Sequence, residues 1–468
     1  MNDFADWLSP ILVKELRQGL RTKAFVGIFV LLQILMVIST MIELANDRSN
    51  GSQVFFWMVI GVALLLGMPL RGAFSISNEI KENTLELVLL TELSARRVAL
   101  GKWVALFLQS VLLVCTVLPY LVIRYFMGGV DFIQGVVALA VFLWFSALLT
   151  ALSVGLSPFA KNAISRGAVG IFAVMAIWFL LLSSLSLGRL PFGSFFSAAH
   201  VIILAALTPL FLLGALEIGL GEIAPMGENQ STRKRLILLG NLAVGGVLAL
   251  VFEENAYVAW ILAGCVAMVG IGTLVEPCRP IPSLYRPVWP FRRSSRLWRA
   301  AGRILYPGWV SAVPFLLVSA AAVLAISPYR FTDSEQNLRL ILAIGMALQP
   351  LVICKLMSSH RPTLPVYMAI QIALFVMSIV LAGAFDRSTN LSLAGLLPTT
   401  GFFLSLWRSN LLTDSSGINV LAGVALLFTL LGYVSLSIRE WVTMAEMERR
   451  IAEENPAIQN ATDSGEAA

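Results

Sequence analysis

The side chains able to bind or react are concentrated in one stretch, Asn78 to Trp103, NEIKENTLELVLLTELSARRVALGKW, set between two long apolar runs. At about 100° per residue, Glu79, Glu82 and Glu86 fall in one narrow helical arc, and Ile80, Thr84, Leu87 and Val88 share another. Asn78 is a competent N-cap and acids suit a first turn, so a short amphipathic helix is expected here with carboxylates on one side. Ser94 is the expected cap of a second helix, which carries Arg96, Arg97 and Lys102 into the next apolar run. Cations near a helix start oppose its dipole, which leaves lipid phosphates or a partner's acids as the reason for placing them there. SPILVKELRQGLRTK (Ser9 to Lys23) reads in the same way. Ser9 caps, Pro10 takes the first helical position, Leu12, Leu16 and Leu20 form an apolar stripe, and Lys14, Arg17 and Arg21 form a cationic one. Such a helix lies in a membrane interface. Periodicity alone leaves open whether either element does more than pack at the membrane surface.

Other chemistries lack their residues. His200 and His360 are far apart, and Cys115, Cys265, Cys278 and Cys354 lie in or beside apolar runs without C-x-x-C spacing, so no metal site or disulfide is expected. The phosphate-binding pattern G-x-x-x-x-G-K-[S/T] is absent. Gly101-Lys102 is followed by Trp103, and Arg96 stands where the first glycine is required. No nucleophile constellation is apparent either.

The elements that must position these residues follow from composition. Hydrophobic residues make up 58% of the 468 and charged ones 13%, gathered into blocks, which is the composition of an all-α, multi-pass membrane protein. Runs such as Ala24–Leu44 and Trp103–Ile123 reach the ~20 residues that cross a bilayer core, and the absence of alternation excludes a barrel. About twelve spans are expected, near 24–44, 54–72, 103–123, 134–156, 168–187, 200–220, 235–252, 257–275, 309–327, 339–357, 363–384 and 418–437. The short apolar piece Leu391–Trp407, with Gly395 and Pro398, is expected to be re-entrant or interfacial. Asp3, Asp6, Lys14, Glu15 and Arg17 before a full-length first run argue against a cleavable signal. With the N-terminus in the cytoplasm, 26 Lys and Arg fall inside and seven outside, as the positive-inside bias requires. The net charge of +6 is therefore not a nucleic-acid signal; the basic stretch Arg286–Arg303 is expected to contact lipid headgroups.

The two halves share a layout: two spans, a cytoplasmic loop of about thirty residues, two spans, a short link, a span, an external piece and a last span. LGRLPFGSFF (Leu187 to Phe196) and AGLLPTTGFF (Ala394 to Phe403) are the external pieces. The expected division is 1–225 as one six-span unit, 226–438 as a second, a possible degenerate repeat, and 439–468 as a polar cytoplasmic tail. Duplication and convergence on Leu, Pro and Phe both account for the likeness.

PILVKELRQGLRTKAF, followed one hairpin later by ISNEIKENTLELVLLTELSARRVALGKW, resembles the permease subunits of ATP-binding-cassette (ABC) transporters of the type-2 exporter class. The matching positions are Pro10, Lys14, Glu15, Leu16, Arg17 and Arg21, then Glu79, Thr84, Leu85, Glu86, Leu89, Leu90, Thr91, Leu93, Ser94, Arg96, Arg97, Gly101 and Lys102. The chain departs at Asn83, where the family usually has Gly, and at Glu92, where it usually has Pro; the latter should soften the turn between the two short helices. The motifs cover about the first 105 residues, and the layout extends the likeness to about 225. The equivalent loop of the second half, 276–308, has no acid but Glu276.

The resemblance implies an exporter permease of the cytoplasmic membrane that couples to a separate ATPase subunit, with ATP and Mg on that partner and none on this chain. It implies coupling through Glu79, Glu82, Thr84, Glu86, Leu89 and Ser94, and interfacial anchoring by Lys14, Glu15, Arg17, Arg21, Arg96, Arg97 and Lys102. A second permease copy is an open possibility, and apolar spans favour a lipid-like or amphipathic cargo. The alternative is a secondary transporter with a six-helix repeat, which would want mid-membrane acids. The span interiors instead offer Gln33, Gln109, Gln349, Gln371 and Asn241, and the nearest acid is Glu217. An enzyme acting on lipid ranks last, for want of a His/Asp/Glu cluster.

Overall fold

The computed structural model describes residues 10–45, 50–82, 94–127, 131–159, 198–224, 229–252, 255–273, 276, 296–327, 334–357 and 364–385, with 438, 442 and 446. Every element among them is helical, and six helices are long and apolar enough to cross a membrane. The protein is thus an all-α, multi-pass membrane protein. Four further apolar segments, Val258–Gly272, Ser311–Ile326, Leu340–Leu351 and Val366–Met377, are shorter. The spans expected at 168–187 and 418–437, the two external pieces and the 391–407 segment lie outside the described residues. The chain divides into two compact units, Met1–Ala224 and Pro225–Ala468.

In the first unit, α1 (Pro10–Arg21) leads into α2 (Lys23–Ala45). α2 is apolar on all sides, and Val26, Val30, Leu31, Ile34 and Met41 stay exposed, as a helix facing hydrocarbon requires. α3 (Asn50–Gly61) passes through a π-helical stretch, Val62–Gly67, directly into α4 (Met68–Lys81). α5 (Ala95–Phe126) and α6 (Phe132–Leu156) form a hairpin, a 3-10 turn follows at Ser157–Phe159, and α7 (Ala198–Glu217) closes the unit. α6 is the centre, packing against α4, α5 and α7.

Close helix approach in lipid relies on small residues and on side-chain hydroxyls. Gly155 of α6 meets the backbone of α7, where a Cβ would lie 1.9 Å from the carbonyl oxygen of Ala215. Gly72 of α4 meets α6, where a Cβ would lie 2.3 Å from Ser153 Oγ. A π turn disturbs the backbone ladder, and α6 supplies a partner: Ser146 Oγ donates to the Leu64 carbonyl at 2.9 Å. Trp103 Nε1 donates to the Ala147 carbonyl and Trp144 Nε1 to Thr208 Oγ1, each at 3.0 Å, fixing α5 and α7 on α6.

The helix starts divide into one that follows the sequence reading and one that does not. Ser94 does cap α5, its side chain accepting from the Arg97 amide. Asn78, read as an N-cap, instead lies in the last turn of α4, and its carbonyl accepts from the Glu82 amide. The span read as ending at 72 continues to Lys81 because Gly72, Ala73, Ile76 and Ser77 form a buried face against α6.

The second unit comprises α8 (Ser231–Val251), α9 (Asn255–Gly272), α10 (Arg296–Leu305), α11 (Trp309–Ile326), α12 (Ser334–Met357) and α13 (Leu364–Phe385). α9 packs against α8, α11 and α12, and the short α10 lies on α8 and α11. Gly308, at φ 147°, makes the turn between α10 and α11.

Candidate functional site

The site begins with a buried lysine. Lys102, in the second turn of α5, is only 4% exposed, and a buried ammonium needs partners. It has two, donating from Nζ to Glu79 Oε1 at 2.8 Å and to Glu15 Oε2 at 3.2 Å. One cation therefore joins α1, α4 and α5. The packing of α1 on α5 is intimate, since a Cβ on Gly19 would lie 2.2 Å from the Gln109 side chain.

Eight residues before Glu79, Arg71 holds the next layer. Its guanidinium donates to Gln109 Oε1 of α5 and, at 3.0 Å each, to the Gly19 carbonyl and Thr22 Oγ1 at the α1–α2 corner. It lies 5.2 Å from the centroid of the Phe25 ring. Thr22 Oγ1 in turn donates to the Gly19 carbonyl and accepts from the Phe25 amide, fixing the corner. Among the described residues, Arg71 forms no ion pair.

These groups line a groove of about 820 Å³ bounded by α1, α2, the α3–α4 helix and α5. Its polar lining includes Glu15, Gln18, Thr22, Arg71, Ser75, Asn78, Glu79, Glu82, Lys102 and Gln109, and apolar side chains of α2, α3, the π turn, α4 and α5 form much of the rest. A cleft of that volume is within the range of small-molecule sites.

The other residues singled out from sequence divide by exposure. Lys14, Arg17, Arg21 and Arg97 are exposed, on α1 and at the start of α5. Glu82 is exposed at the end of α4. Arg96 is part-exposed and pairs through Nε, at 3.5 Å, with Glu217 at the end of α7, whose side chain is 1% exposed. Glu15 and Lys102 are turned into the protein on each other. Thr84, Glu86 and Leu89 lie outside the described residues.

Two further clusters were not singled out from sequence. At the far ends of α2 and α5, Arg124 Nε lies 2.6 Å from Glu43 Oε2 and its Nη2 donates to Oε1 at 3.0 Å, with the guanidinium 4.0 Å over the Phe56 ring. Both side chains are buried, so Arg124 belongs to a helix contact. A usable signal was present: two parallel helices carry opposite charges at matching distances from their ends, Ala45 and Phe126. Between these pairs, Gln33 donates to Thr116 Oγ1 at 2.8 Å and accepts from Tyr120 at 3.0 Å. Gln33 and Gln109 thus serve helix contacts.

In the second unit, Glu276 is likewise buried. It accepts from Arg235 and from the Gly308 amide at 3.0 Å, while Arg235 also donates to the carbonyls of Ile304, Tyr306 and Gly308 and to Ser311 Oγ. The sole acid of loop 276–308 therefore clasps α8, α10 and α11 together. No family model, no curated protein and no solved structure matches the chain.

Proposed function

We propose that this chain is the membrane-spanning permease subunit of an ATP-driven exporter, resembling the ABC type-2 class. On this reading it lies in the cytoplasmic membrane with its N-terminus in the cytoplasm. It works with a separate ATPase subunit, which holds ATP and Mg, and its spans form the export path.

The observation that carries the reading is the Glu15–Lys102–Glu79 junction. The motif-bearing ends of α1, α4 and α5 are fastened to one another at a single buried ammonium. A force applied to the segment between Glu82 and Ser94 then acts on three helices together, as a coupling element requires. Exposed Glu82 fits the docking role, exposed Lys14, Arg17, Arg21 and Arg97 fit anchoring at lipid phosphates, and Glu79 and Lys102 act as the fixed point behind them.

Twelve spans in two six-helix units remain part of the proposal. Equivalent helices pack in equivalent pairs: α2 with α5 and α4 with α6 in the first unit, α8 with α11 and α9 with α12 in the second. The acid at the end of the second span pairs with a cation in both, as Glu79 or Glu276. A secondary transporter fits less well, because the buried Glu43 and Glu217 sit at helix ends and each faces an arginine.

The test is co-purification in mild detergent with an ATPase assay on the eluate. A Walker-type ATPase should accompany the chain, and Glu82→Arg should abolish stimulation by the permease while leaving insertion intact. Unchanged stimulation, or a chain that purifies alone, would overturn the proposal.

A further inference from the structure

From the groove of the first unit we infer that this chain binds a long-chain carboxylic acid as its anion, the carboxylate at Arg71 and the tail along the apolar wall toward Met58. The wall supplies the first part of the argument. No charged residue stands between Val54 and Leu70, so Arg71 is the first ionised group after the apolar run and marks the edge of the hydrocarbon. From Met58 to Arg71 the lining follows one helix for 13 residues, ~20 Å at 1.5 Å per residue. That exceeds the ~15 Å half-thickness of a bilayer core, so an acyl chain fits lengthwise with its head at Arg71. Leu31 and Met58 line the groove and are 57% and 37% exposed, so the slot opens sideways to the hydrocarbon from which the tail enters.

The polar groups at the head of that wall supply the second part. A guanidinium has five N–H donors. Among the described residues Arg71 uses three of them, on Gln109 Oε1, the Gly19 carbonyl and Thr22 Oγ1, all neutral acceptors, so two donors and the whole positive charge are left over. Gln109 also lines the groove and is 1% exposed; its Oε1 is taken by Arg71, while its amide Nε2 has no hydrogen-bond partner among the described residues. Spare donors around a cation without an acid suit an anion. The other charges of the lining choose which anion. Lys102 sits between Glu15 and Glu79, two carboxylates on one ammonium, so this triad carries one net negative charge. Glu79 stands eight residues beyond Arg71, ~12 Å along α4. A headgroup that projects further negative charge past Arg71 meets that triad unfavourably. A carboxylate carries a single charge and ends at the guanidinium, whereas a neutral or cationic amphiphile leaves Arg71 unpaired.

Binding of the acid stands without any ATPase; its identity as the exported cargo rests on the exporter reading. The experiment is native mass spectrometry of the full chain, purified in detergent at mildly alkaline pH. It is titrated in parallel with palmitate, with cetyl alcohol, which has the same tail and no charge, and with phosphatidylglycerol. Palmitate should be retained about tenfold more tightly than the alcohol, the scale of one charge-assisted hydrogen bond, and more tightly than phosphatidylglycerol. Arg71→Gln should bring acid and alcohol to parity, whereas Arg71→Lys should keep the preference. Met58→Trp, at an exposed position on the far end of the wall, should weaken retention of palmitate while sparing octanoate, whose tail ends short of it. Equal retention of acid and alcohol by the unaltered chain, or indifference to Met58→Trp, would overturn the inference. Phosphatidylglycerol held as tightly as palmitate would overturn it too, marking the groove as a place for anionic phospholipid. Selective retention of palmitate by a chain that purifies without an ATPase would sink the exporter reading and leave the site standing; an ATPase partner without that selectivity would do the reverse.

Discussion

Replacing Lys102 by methionine tests whether the α1–α4–α5 junction is held by its ammonium. The change keeps the aliphatic bulk and removes two charge-assisted hydrogen bonds, to Glu79 and Glu15. Each such bond contributes about 1.5–3 kcal/mol, and removing one partner of a fully enclosed ion pair costs about 3–5 kcal/mol. Here the two glutamates keep 18% and 16% exposure, so water recovers part of the loss. A destabilisation of about 2–4 kcal/mol is expected, because two like-charged carboxylates are left facing each other. If that repulsion is the cause, the triple variant Glu15→Gln, Glu79→Gln, Lys102→Met should recover to within about 1 kcal/mol of the unaltered chain. The assay is reversible unfolding in mixed micelles, followed by tryptophan fluorescence and arranged as a mutant cycle. A single variant as stable as the parent, or a triple variant no better than the single one, would refute the reasoning.

The remaining predictions concern other contacts. Gly155→Leu should separate α6 from α7 and cost about 3 kcal/mol or more, because the obstacle is a backbone oxygen that no rotamer change can move; thermal unfolding in detergent would show it. Arg124→Met should cost about 3–5 kcal/mol by leaving Glu43 buried and unpaired, and the further change Glu43→Gln should restore much of it; the same unfolding assay reads both. Gly308→Ala should destabilise the second unit by about 1–3 kcal/mol, since its φ of 147° disfavours any Cβ; limited proteolysis of the α10–α11 turn would report it.

The apolar spans were legible because length and hydropathy are local properties. The runs at 24–44, 103–123 and 134–156 each lie inside a longer observed helix. Where those helices end was not legible: α4 continues past the hydrocarbon on an amphipathic face whose partner, α6, is remote in sequence, so Asn78 was read as a beginning when it is near an end. Burial of the cations was not legible either: Lys102, Arg124 and Arg235 are buried, and their acids stand up to 87 residues away. Glu79 and Lys102 both stood in the quoted motif, but their pairing with each other and with Glu15 was not legible, because nothing in either segment alone says that α1 lies on α5.

The wide turn at Val62–Gly67 also sets a phase. Within one uninterrupted rod, the helix before the turn faces α2 and the helix after it faces α6, and the extra residue lets both faces be apolar where each is needed. Removing a single residue there would rotate everything beyond it by about 100° and draw it back by about 1.5 Å. Arg71 would swing away from Gln109 and Glu79 from Lys102, while α3 kept its place. The turn works as a vernier: it adjusts the angular setting of the charged end of the rod independently of the end that is embedded.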